Sequence, residues 1–323
     1  MRLFQWQGSR AVGKTAALPR IHNPDLPSPT RFATIGSTAR QNNLTSSFAP
    51  LPLAVSGTTD EDCLSMIELV RDTYRYRELI WALALKELKI RYKRSVLGFM
   101  WALLNPALLM VVLTLVFSTV MRFAIPHYAI FLLSVLLPWT FFSQSLSYAV
   151  EAIVANGDLI KKIAVPKLVF PMAAVVSNII NLLLSLIPLA LLVPLLRHPF
   201  YWTWVYLPVP LLALAIFTLG MTFFFAAANV YYRDVSHILQ ILLSAWFYLT
   251  PIIYPLDLIP ARYQWIFKLN PMIYVINGFR LAVYYGMLPK APSIVASFVC
   301  AFLSLFLGFA IFRKYQDNFV FYV

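Results

Sequence analysis

Apolar and polar residues are distributed very unevenly along this chain of 323 residues. The first 60 residues are polar, and six long apolar runs follow residue 100, each close to the ~20 residues that a helix needs to cross a bilayer. We expect these spans at Trp101–Met121, Ala129–Val150, Leu168–Leu195, Val205–Val230, Ile238–Ile253 and Ser293–Phe312. Pro208 and Pro210 predict a kink or a late start in the fourth span. The pattern therefore predicts an all-α polytopic membrane protein with six transmembrane helices.

A different pattern precedes the first span, from Leu79 to Tyr92. Apolar residues recur there at steps of three and four, with basic residues elsewhere around the same helix. Such a basic amphipathic helix prefers to lie in the membrane interface, with its apolar stripe at the acyl boundary. Leu97 and Gly98 then turn the chain into the first span. The residues of this predicted interface helix that we single out are Trp81, Leu85, Leu88, Arg91, Tyr92, Lys93 and Arg94.

The stretch Tyr254–Gly286, before the last span, is largely apolar but interrupted by prolines. Its longest apolar part, Met272–Gly286, is too short to cross a bilayer. We therefore predict two short re-entrant helices that dip into the outer leaflet, with an ordinary outer loop as the alternative.

Composition and charge agree with a membrane protein. The chain is 60% hydrophobic and 12% charged, with a mean hydropathy of +0.73, whereas soluble domains contain about 25% charged residues. The net charge of +13 lies mostly in the polar segments, which is typical of cytoplasmic loops and contact with anionic lipids, so no nucleic-acid partner is expected. The side of the membrane that holds the N terminus receives fourteen basic residues, and the other side receives six. Because cytoplasmic loops carry the excess of Lys and Arg, both termini are predicted to be cytoplasmic.

The polar ends of the chain define the domain organisation. Residues 1–60 are rich in Ser, Thr, Pro and Arg and have no apolar segment of a signal peptide; they predict a disordered tail, with a transit peptide as the alternative. Gly8–Thr15 matches the phosphate-binding pattern G-x-x-x-x-G-K-[ST], but Pro19 prevents the helix that this loop requires. We expect a cytoplasmic lead-in and interface helix at 61–98, the six spans at 99–312 and a cytoplasmic C-terminal tail at 313–323.

Catalytic chemistry has little support in the apolar part of the chain. The acids between Trp101 and Phe312 are Glu151, Asp158, Asp234 and Asp257, all at predicted loops or span ends. Ion-coupled transporters keep ionisable residues near the bilayer midplane, and membrane transferases need a catalytic acid or base. Cys63 and Cys300 lie in unrelated contexts and indicate no metal site or disulfide. We therefore expect no cofactor on this chain and an energy source on a partner.

The loop between the second and third spans is the predicted docking site for that partner. Asp158 can cap a short helix at Leu159–Ala164, which Pro166 ends. A helix of this kind could press its apolar side into a groove of a second protein, or lie on lipid through its lysines. The candidate coupling residues are Asp158, Leu159, Ile160, Lys161, Lys162 and Ile163.

Polar and aromatic residues within the spans supply candidates for a transport path. Ser177, Asn181 and Ser185 share one helical face at four-residue steps. Such a stripe either binds one helix to another or lines a path. Aromatic rings can stack on sugars, and Trp246 and Tyr248 are the aromatic channel candidates.

Two segments carry a family resemblance. RYKRSVLGFMWALLNP at 91–106 and LNPMIYVINGFR at 269–280 resemble the permeases of ABC-type exporters of polysaccharide, lipopolysaccharide O-antigen and teichoic acid. The resemblance covers about Leu79 to the C terminus. It implies a bacterial inner-membrane homodimer that exports a lipid-linked glycan, with two ATPase subunits that bind ATP and Mg and contact the coupling and interface helices. It also implies an outer gate, for which the candidates are Pro251, Tyr254, Pro255, Asn270 and Pro271.

Three alternatives remain open at this stage. A permease for a drug, an antibiotic or a small lipid would have the same fold. A membrane transferase that acts on polyprenyl-linked sugars belongs to another class and would need the carboxylates that the spans lack. A purely structural membrane scaffold would tolerate charge reversal at Lys161 and Lys162.

Overall fold

The computed structural model describes residues 71–323, except 72, 94, 96, 99, 121–124, 163 and 164. The predicted disordered tail, most of the lead-in, Arg94 and Ile163 lie outside the described residues. The described part is helical, with no strand in it. Its α-helices are α1 (Arg77–Tyr92), α2 (Met100–Thr114), α3 (Tyr128–Ala155), α4 (Gly157–Lys162), α5 (Val169–Leu195), α6 (Pro208–Tyr231), α7 (Val235–Leu249), α8 (Gln264–Lys268), α9 (Pro271–Arg280), α10 (Ala291–Tyr315) and α11 (Phe319–Tyr322).

Shorter helical turns connect or extend these helices. Two π-helical segments continue α2 and α9, at Leu115–Val120 and Leu281–Tyr285. The 3-10 turns are at Trp202–Tyr206, Leu256–Leu258, Ala261–Tyr263 and Gln316–Asn318.

Four helical segments in the described part are long and apolar enough to cross a membrane: Tyr128–Ala155, Val169–Leu195, Trp202–Tyr231 and Ala291–Tyr322. The apolar helices Leu104–Ser118 and Val235–Leu249, at the first and fifth predicted spans, are shorter. The chain is thus a multi-pass helical membrane protein, and the count of six spans stays a prediction. In the fourth span the α-helix begins at Pro208, after a 3-10 turn at Trp202–Tyr206. The fifth was predicted three to four residues too late in the chain: its helix runs from Val235 to Leu249 and ends before Pro251.

Helix α3 is the centre of the fold. It is buried on every side from Tyr128 to Trp139 and packs against α5, α6 and α7. A helix that is apolar all round must be surrounded by protein or lipid, and here protein fills that role. Phe142 contacts Phe217 of α6 and Trp246 of α7, with ring centroids 5.7 and 5.3 Å apart.

Helices α6 and α10 form the closest helix pair. Gly220 and Gly308 face each other, and a Cβ atom on either would overlap the backbone of the opposite helix. The Ser304 hydroxyl donates to the Phe217 carbonyl oxygen across the same contact, at 3.0 Å. Small residues that let two backbones approach are typical of membrane helix pairs. This contact fixes the last span against the core.

Candidate functional site

A groove of about 570 Å³ lies between α2, α3 and α7. Its polar residues follow helical spacing: Thr140, Ser143, Gln144 and Ser147 on α3, and Gln240 and Ser244 on α7. The Gln240 side-chain amide donates to the Ser147 hydroxyl at 3.0 Å and joins the two helices. The hydroxyls of Thr140 and Ser244 donate to carbonyl oxygens of their own helices, so their lone pairs remain for a ligand. A polar stripe between apolar helices suits a hydroxyl-rich ligand.

Aromatic residues border the same groove. Trp139 and Phe247 line it, with ring centroids 5.8 Å apart, and Tyr248 lines it with 67% of its surface exposed. Of the two aromatic channel candidates, Tyr248 is therefore in the groove. Trp246 points to the other side of α7, where its indole N–H donates to Asn270 at 2.9 Å.

The polar stripe on α5 lies elsewhere. Ser177, Asn181 and Ser185 are buried, and the stripe faces α1. The Ser177 hydroxyl donates to Glu87 at 3.2 Å, and the Tyr92 hydroxyl donates to Asn181 at 3.4 Å. This arrangement binds helix to helix, which is one of the two functions that the spacing allowed. Asn181 and Ser185 also border a second, smaller cavity.

Helix α1 packs on α5 through a face that the apolar pattern did not single out. Ile80, Ala84 and Leu88 are buried, whereas Trp81 is exposed and Leu85 half-buried. Of the predicted stripe, Leu88 and Tyr92 are thus turned toward protein. Lys93 is exposed at the end of the helix.

An ion pair joins two turns of α1 on this packed side. Glu87 and Arg91 are 3.5 Å apart. Burial raises the pKa of the Glu87 carboxyl, and the Arg91 cation and the Ser177 hydrogen bond oppose that rise. Glu87 was not among the predicted site residues, although its spacing to Arg91 is that of an i,i+4 pair.

Helix α4 forms at the predicted coupling loop, with a correction at its start. The helix begins at Gly157, so Asp158 lies inside the first turn and does not cap it. The carbonyl oxygen of Asn156 accepts from the backbone N–H groups of Leu159 and Ile160. The Asn156 side-chain amide donates backward to the Ala152 carbonyl oxygen at 2.8 Å.

The surface of α4 is basic rather than apolar. Ile160 is buried in its own chain and Leu159 is half-buried, whereas Lys161 and Lys162 are exposed. A partner that docks here therefore meets the lysines first.

The last eight residues, predicted as a tail, fold back against the same end of the molecule; we call residues 316–323 the C-terminal strap. Phe319 is fully buried, with its ring 5.2 Å from Phe312. The Arg233 guanidinium donates to the Tyr322 carbonyl oxygen at 3.1 Å. The side chain of Val323 packs against Gly157 at the start of α4. The strap therefore supports α4.

Lys167, between α4 and α5, also holds the strap. Its ammonium group donates to the carbonyl oxygen of Gln316. Burial lowers the pKa of Lys167, and Asp317 opposes that shift. The link ties the loop after α4 to the segment before α11.

At the opposite end, Asn270 joins α7 to α9. Its side-chain oxygen accepts from the Trp246 indole at 2.9 Å and from the backbone N–H of Met272 at 3.0 Å, as the N-cap of α9. Its amide donates to the Thr250 hydroxyl at 2.9 Å and to the Leu249 carbonyl oxygen at 3.3 Å. Pro271 follows as the first residue of the helix, a favoured position for proline.

Side chains hold the irregular segment after α7, which includes Pro251. The buried Arg280 guanidinium donates to the Ile252 carbonyl oxygen at 2.8 Å, and the Tyr128 hydroxyl donates to Ile253 at 2.7 Å. The Tyr254 hydroxyl donates to the Tyr248 carbonyl oxygen. Pro251 is buried, and Tyr254 and Pro255 are half-buried. Short helices, α8 and α9, do occur in the predicted re-entrant stretch; their depth in a membrane stays a prediction.

Metal chemistry has no candidate in the described ranges. No group of three or more His, Cys, Asp or Glu side chains there could hold a metal ion.

Comparison with known proteins places these features in a family context. Residues 78–284 match the family model described as ABC-2 type transporter. The chain is 38% identical over 257 residues to the O-antigen export system permease protein RfbA of Myxococcus xanthus, which covers 79% of this chain and 98% of that protein. It is 32% identical over 246 residues to the protein of the same name from Klebsiella pneumoniae, covering 75% and 93%. It is 28% identical over 239 residues to the polysialic acid transport protein KpsM of Escherichia coli, covering 73% and 93%.

Proposed function

The chain belongs to the ABC-2 type transporter family, and from this membership we propose that it is the permease subunit of an ATP-driven polysaccharide exporter. Its cargo is a lipid-linked polysaccharide of the O-antigen, capsule or teichoic-acid type, and the membrane is the bacterial inner membrane. The observation that carries the proposal is similarity to O-antigen and polysialic acid permeases along about three quarters of the chain.

The groove between α2, α3 and α7 supports a glycan path. Its amide and hydroxyl groups can exchange hydrogen bonds with sugar hydroxyls, and Tyr248 offers an exposed ring for stacking. The groove is open on one side, and α7 exposes Ile238, Ile241 and Leu242 beside it. Two copies of the chain that face each other across these surfaces would enclose the path. This is the homodimer of the proposal.

The energy comes from a separate ATPase, present in two copies, that binds ATP and Mg. The basic surface of α4 and the polar side of α1 are its proposed docking sites. Because the C-terminal strap packs on α4, motion of α4 passes to the ends of α6 and α10. The permease itself is a transport subunit and not an enzyme; its relatives are named as permease and transport proteins.

The proposal places both termini in the cytoplasm. The end of the molecule opposite α4 is then the outer end, and it carries the proposed gate. Asn270 bonds Trp246 and Thr250 at the end of α7, and the Tyr254 hydroxyl bonds the Tyr248 carbonyl oxygen of the same helix. A small shift of α7 would break these side-chain hydrogen bonds. Pro271 begins the short helix beside them. Opening of this network would release the glycan on the far side.

Depletion of the chain tests the function as a whole. We expect full-length lipid-linked glycan to accumulate on the cytoplasmic face, because its synthesis is intact and its exit is blocked. The measurement is glycan labelling on spheroplasts and on inverted vesicles. Normal surface glycan would contradict the proposal in favour of a small-molecule permease, and truncated glycan would favour a transferase.

Reversing the charge of Lys161 and Lys162 together, with K161E and K162E, should uncouple the ATPase. Both side chains are exposed on α4, so the change alters docking and not the core. We expect export to fall at least tenfold and the ATPase to co-purify poorly with the chain. The matched control reverses Arg262 and Lys290, which are exposed at the opposite end. Unchanged export in the lysine variant would favour a structural scaffold.

A further inference from the structure

A second cavity, of about 230 Å³, lies where the end of α1 meets α2, α3 and α5. Its lining contains no acid among the described residues, and Ser185, Thr140 and Tyr148 add hydroxyl groups. Trp101 forms part of the wall. The arginine and carboxamide side chains that line it are Arg91, Asn105, Gln144, Asn178 and Asn181. The cavity is therefore polar and cationic.

Arg91 enters this cavity with donors to spare. One terminal nitrogen, Nη1, donates to the Asn178 side chain at 3.0 Å, and the guanidinium carbon lies 3.8 Å from the centre of the Tyr148 ring. Nε and Nη2 are buried and have no hydrogen-bond partner in the described part of the chain. Nη2 does lie 3.5 Å from Glu87, which is longer than a charge-assisted hydrogen bond. Buried donors left unpaired are costly, and an acceptor in the cavity would satisfy them.

Glu87 does not belong to the cavity. Its carboxylate accepts from Ser177 on the packed side of α1, and it is absent from the lining. It offsets part of the Arg91 charge.

The depth of the cavity follows from the length of α2. Fifteen α-helical and six π-helical residues run without a break from Met100 to Val120, which is roughly 30 Å at the α-helical rise of about 1.5 Å per residue. That length matches the hydrocarbon thickness of a bilayer, about 30 Å. Trp101 and Asn105, at the start of α2, line the cavity. The cavity thus begins near the membrane face on the side of α4 and extends inward, because its lining also includes Phe141 near the middle of α3 and Leu182 near the middle of α5.

We propose that this cavity binds the phosphate-bearing polyol headgroup of a membrane lipid. The phosphate pairs with the Arg91 guanidinium, and the carboxamides of Asn105 and Gln144 bond the hydroxyls of the polyol. The volume is below the roughly 300–1,000 Å³ of pockets for drug-sized ligands, so it suits a headgroup and not a glycan chain. The lipid is either a glycerophospholipid or the polyprenyl-phosphate sugar end of the exported glycan. The second source rests on the proposed function.

Lipid titration of the purified full-length chain tests the proposal. The probes are phosphatidylglycerol, a polyprenyl-phosphate hexose and diacylglycerol, and native mass spectrometry counts the lipid retained by delipidated protein. We expect Arg91→Gln to weaken binding of a phosphate lipid at least tenfold, about 1.4 kcal/mol. Lys89→Gln removes the same charge from an exposed position on α1 and should change binding less than twofold.

Asn105→Leu provides a second variant that leaves the α1–α5 contact intact, because Asn105 is exposed on α2. It should weaken binding several-fold, and it decides the test if Arg91→Gln does not yield a folded protein. Preference for phosphatidylglycerol or for the polyprenyl probe identifies the lipid, and both support the site. Equal losses in the Arg91 and Lys89 variants, or diacylglycerol binding as tight as phosphatidylglycerol binding, would overturn it. Lipid binding is measured without transport, so its outcome is separate from that of the depletion experiment.

Discussion

Replacement of Phe319 by aspartate is expected to abolish export while the chain remains in the membrane. Phe319 is fully buried, with its ring 5.2 Å from Phe312 and 6.1 Å from Tyr231. Loss of a buried phenylalanine costs about 3–5 kcal/mol, and a carboxylate without a partner in an apolar site costs more. The C-terminal strap should therefore leave its site. The measurements are surface glycan, ATPase rate of the complex and the amount of chain in the membrane fraction.

Export should fall because the strap is part of the support of α4. Without it, Val323 no longer packs on Gly157, and the bonds from Lys167 and Arg233 have no acceptors in place. We expect ATP hydrolysis to continue without transport, since the ATPase would then move a helix that is no longer tied to the spans.

The chain offers a matched control two residues away. Phe321 is 85% exposed, so Phe321→Asp adds the same charge to the same segment without opening the core. We expect export within about twofold of wild type, since surface substitutions are usually within about 0.5 kcal/mol. Equal defects in both variants would show that charge alone disturbs the segment. Normal export by the Phe319 variant would refute the supporting role of the strap.

The helical fold could be predicted because its signals are local. Apolar runs of membrane length fix where helices form, and proline fixes several of their ends, as at Pro208 and Pro271. The start of α4 was missed because it depends on where one side chain points. Asn156 donates backward to Ala152, and the sequence does not reveal that choice.

The face of α1 that meets protein was harder to predict. Ile80, Ala84 and Leu88 recur every four residues, and the stripe that begins at Trp81 and Leu85 is just as regular. Helical spacing alone is compatible with either face packing against protein. Packing against α5 selects the face of Ile80, Ala84 and Leu88. Periodicity alone therefore finds the helix but not its orientation.

The groove and the strap depend on residues far apart in the chain. The spacing of the polar residues from Thr140 to Ser147 is visible in the sequence. The groove, however, also needs Gln240, which bonds the Ser147 hydroxyl from 93 residues further along the chain. In the sequence, Phe319 is one of several apolar residues among the last five. Its place in the strap depends on contacts far along the chain, such as the bond from Lys167 to Gln316, 149 residues away. Such pairings need the packed structure.

At the outer end, replacement of Asn270 by leucine is expected to break the proposed gate. The change removes the N-cap of α9, worth about 0.5–2 kcal/mol. It also leaves the Trp246 indole N–H without its acceptor, and a buried donor left unpaired costs about 1–3 kcal/mol. The Thr250 hydroxyl loses the Asn270 donor but keeps its own bond to the Trp246 carbonyl oxygen. We expect a thermal midpoint several degrees lower and a leak of small polar dyes from proteoliposomes without ATP.

A graded series separates the gate from general damage. Asn270→Asp keeps the oxygen that accepts from Trp246 and Met272 but loses the donors to Thr250 and Leu249, so its leak should lie between wild type and Asn270→Leu. Gln264→Leu removes a side-chain bond to Ile259 in the same outer segment and should leave the liposomes tight. If Gln264→Leu leaks as much as Asn270→Leu, the outer segment responds to any lost bond. If only the midpoint falls and no variant leaks, Asn270 stabilises the fold without closing the path.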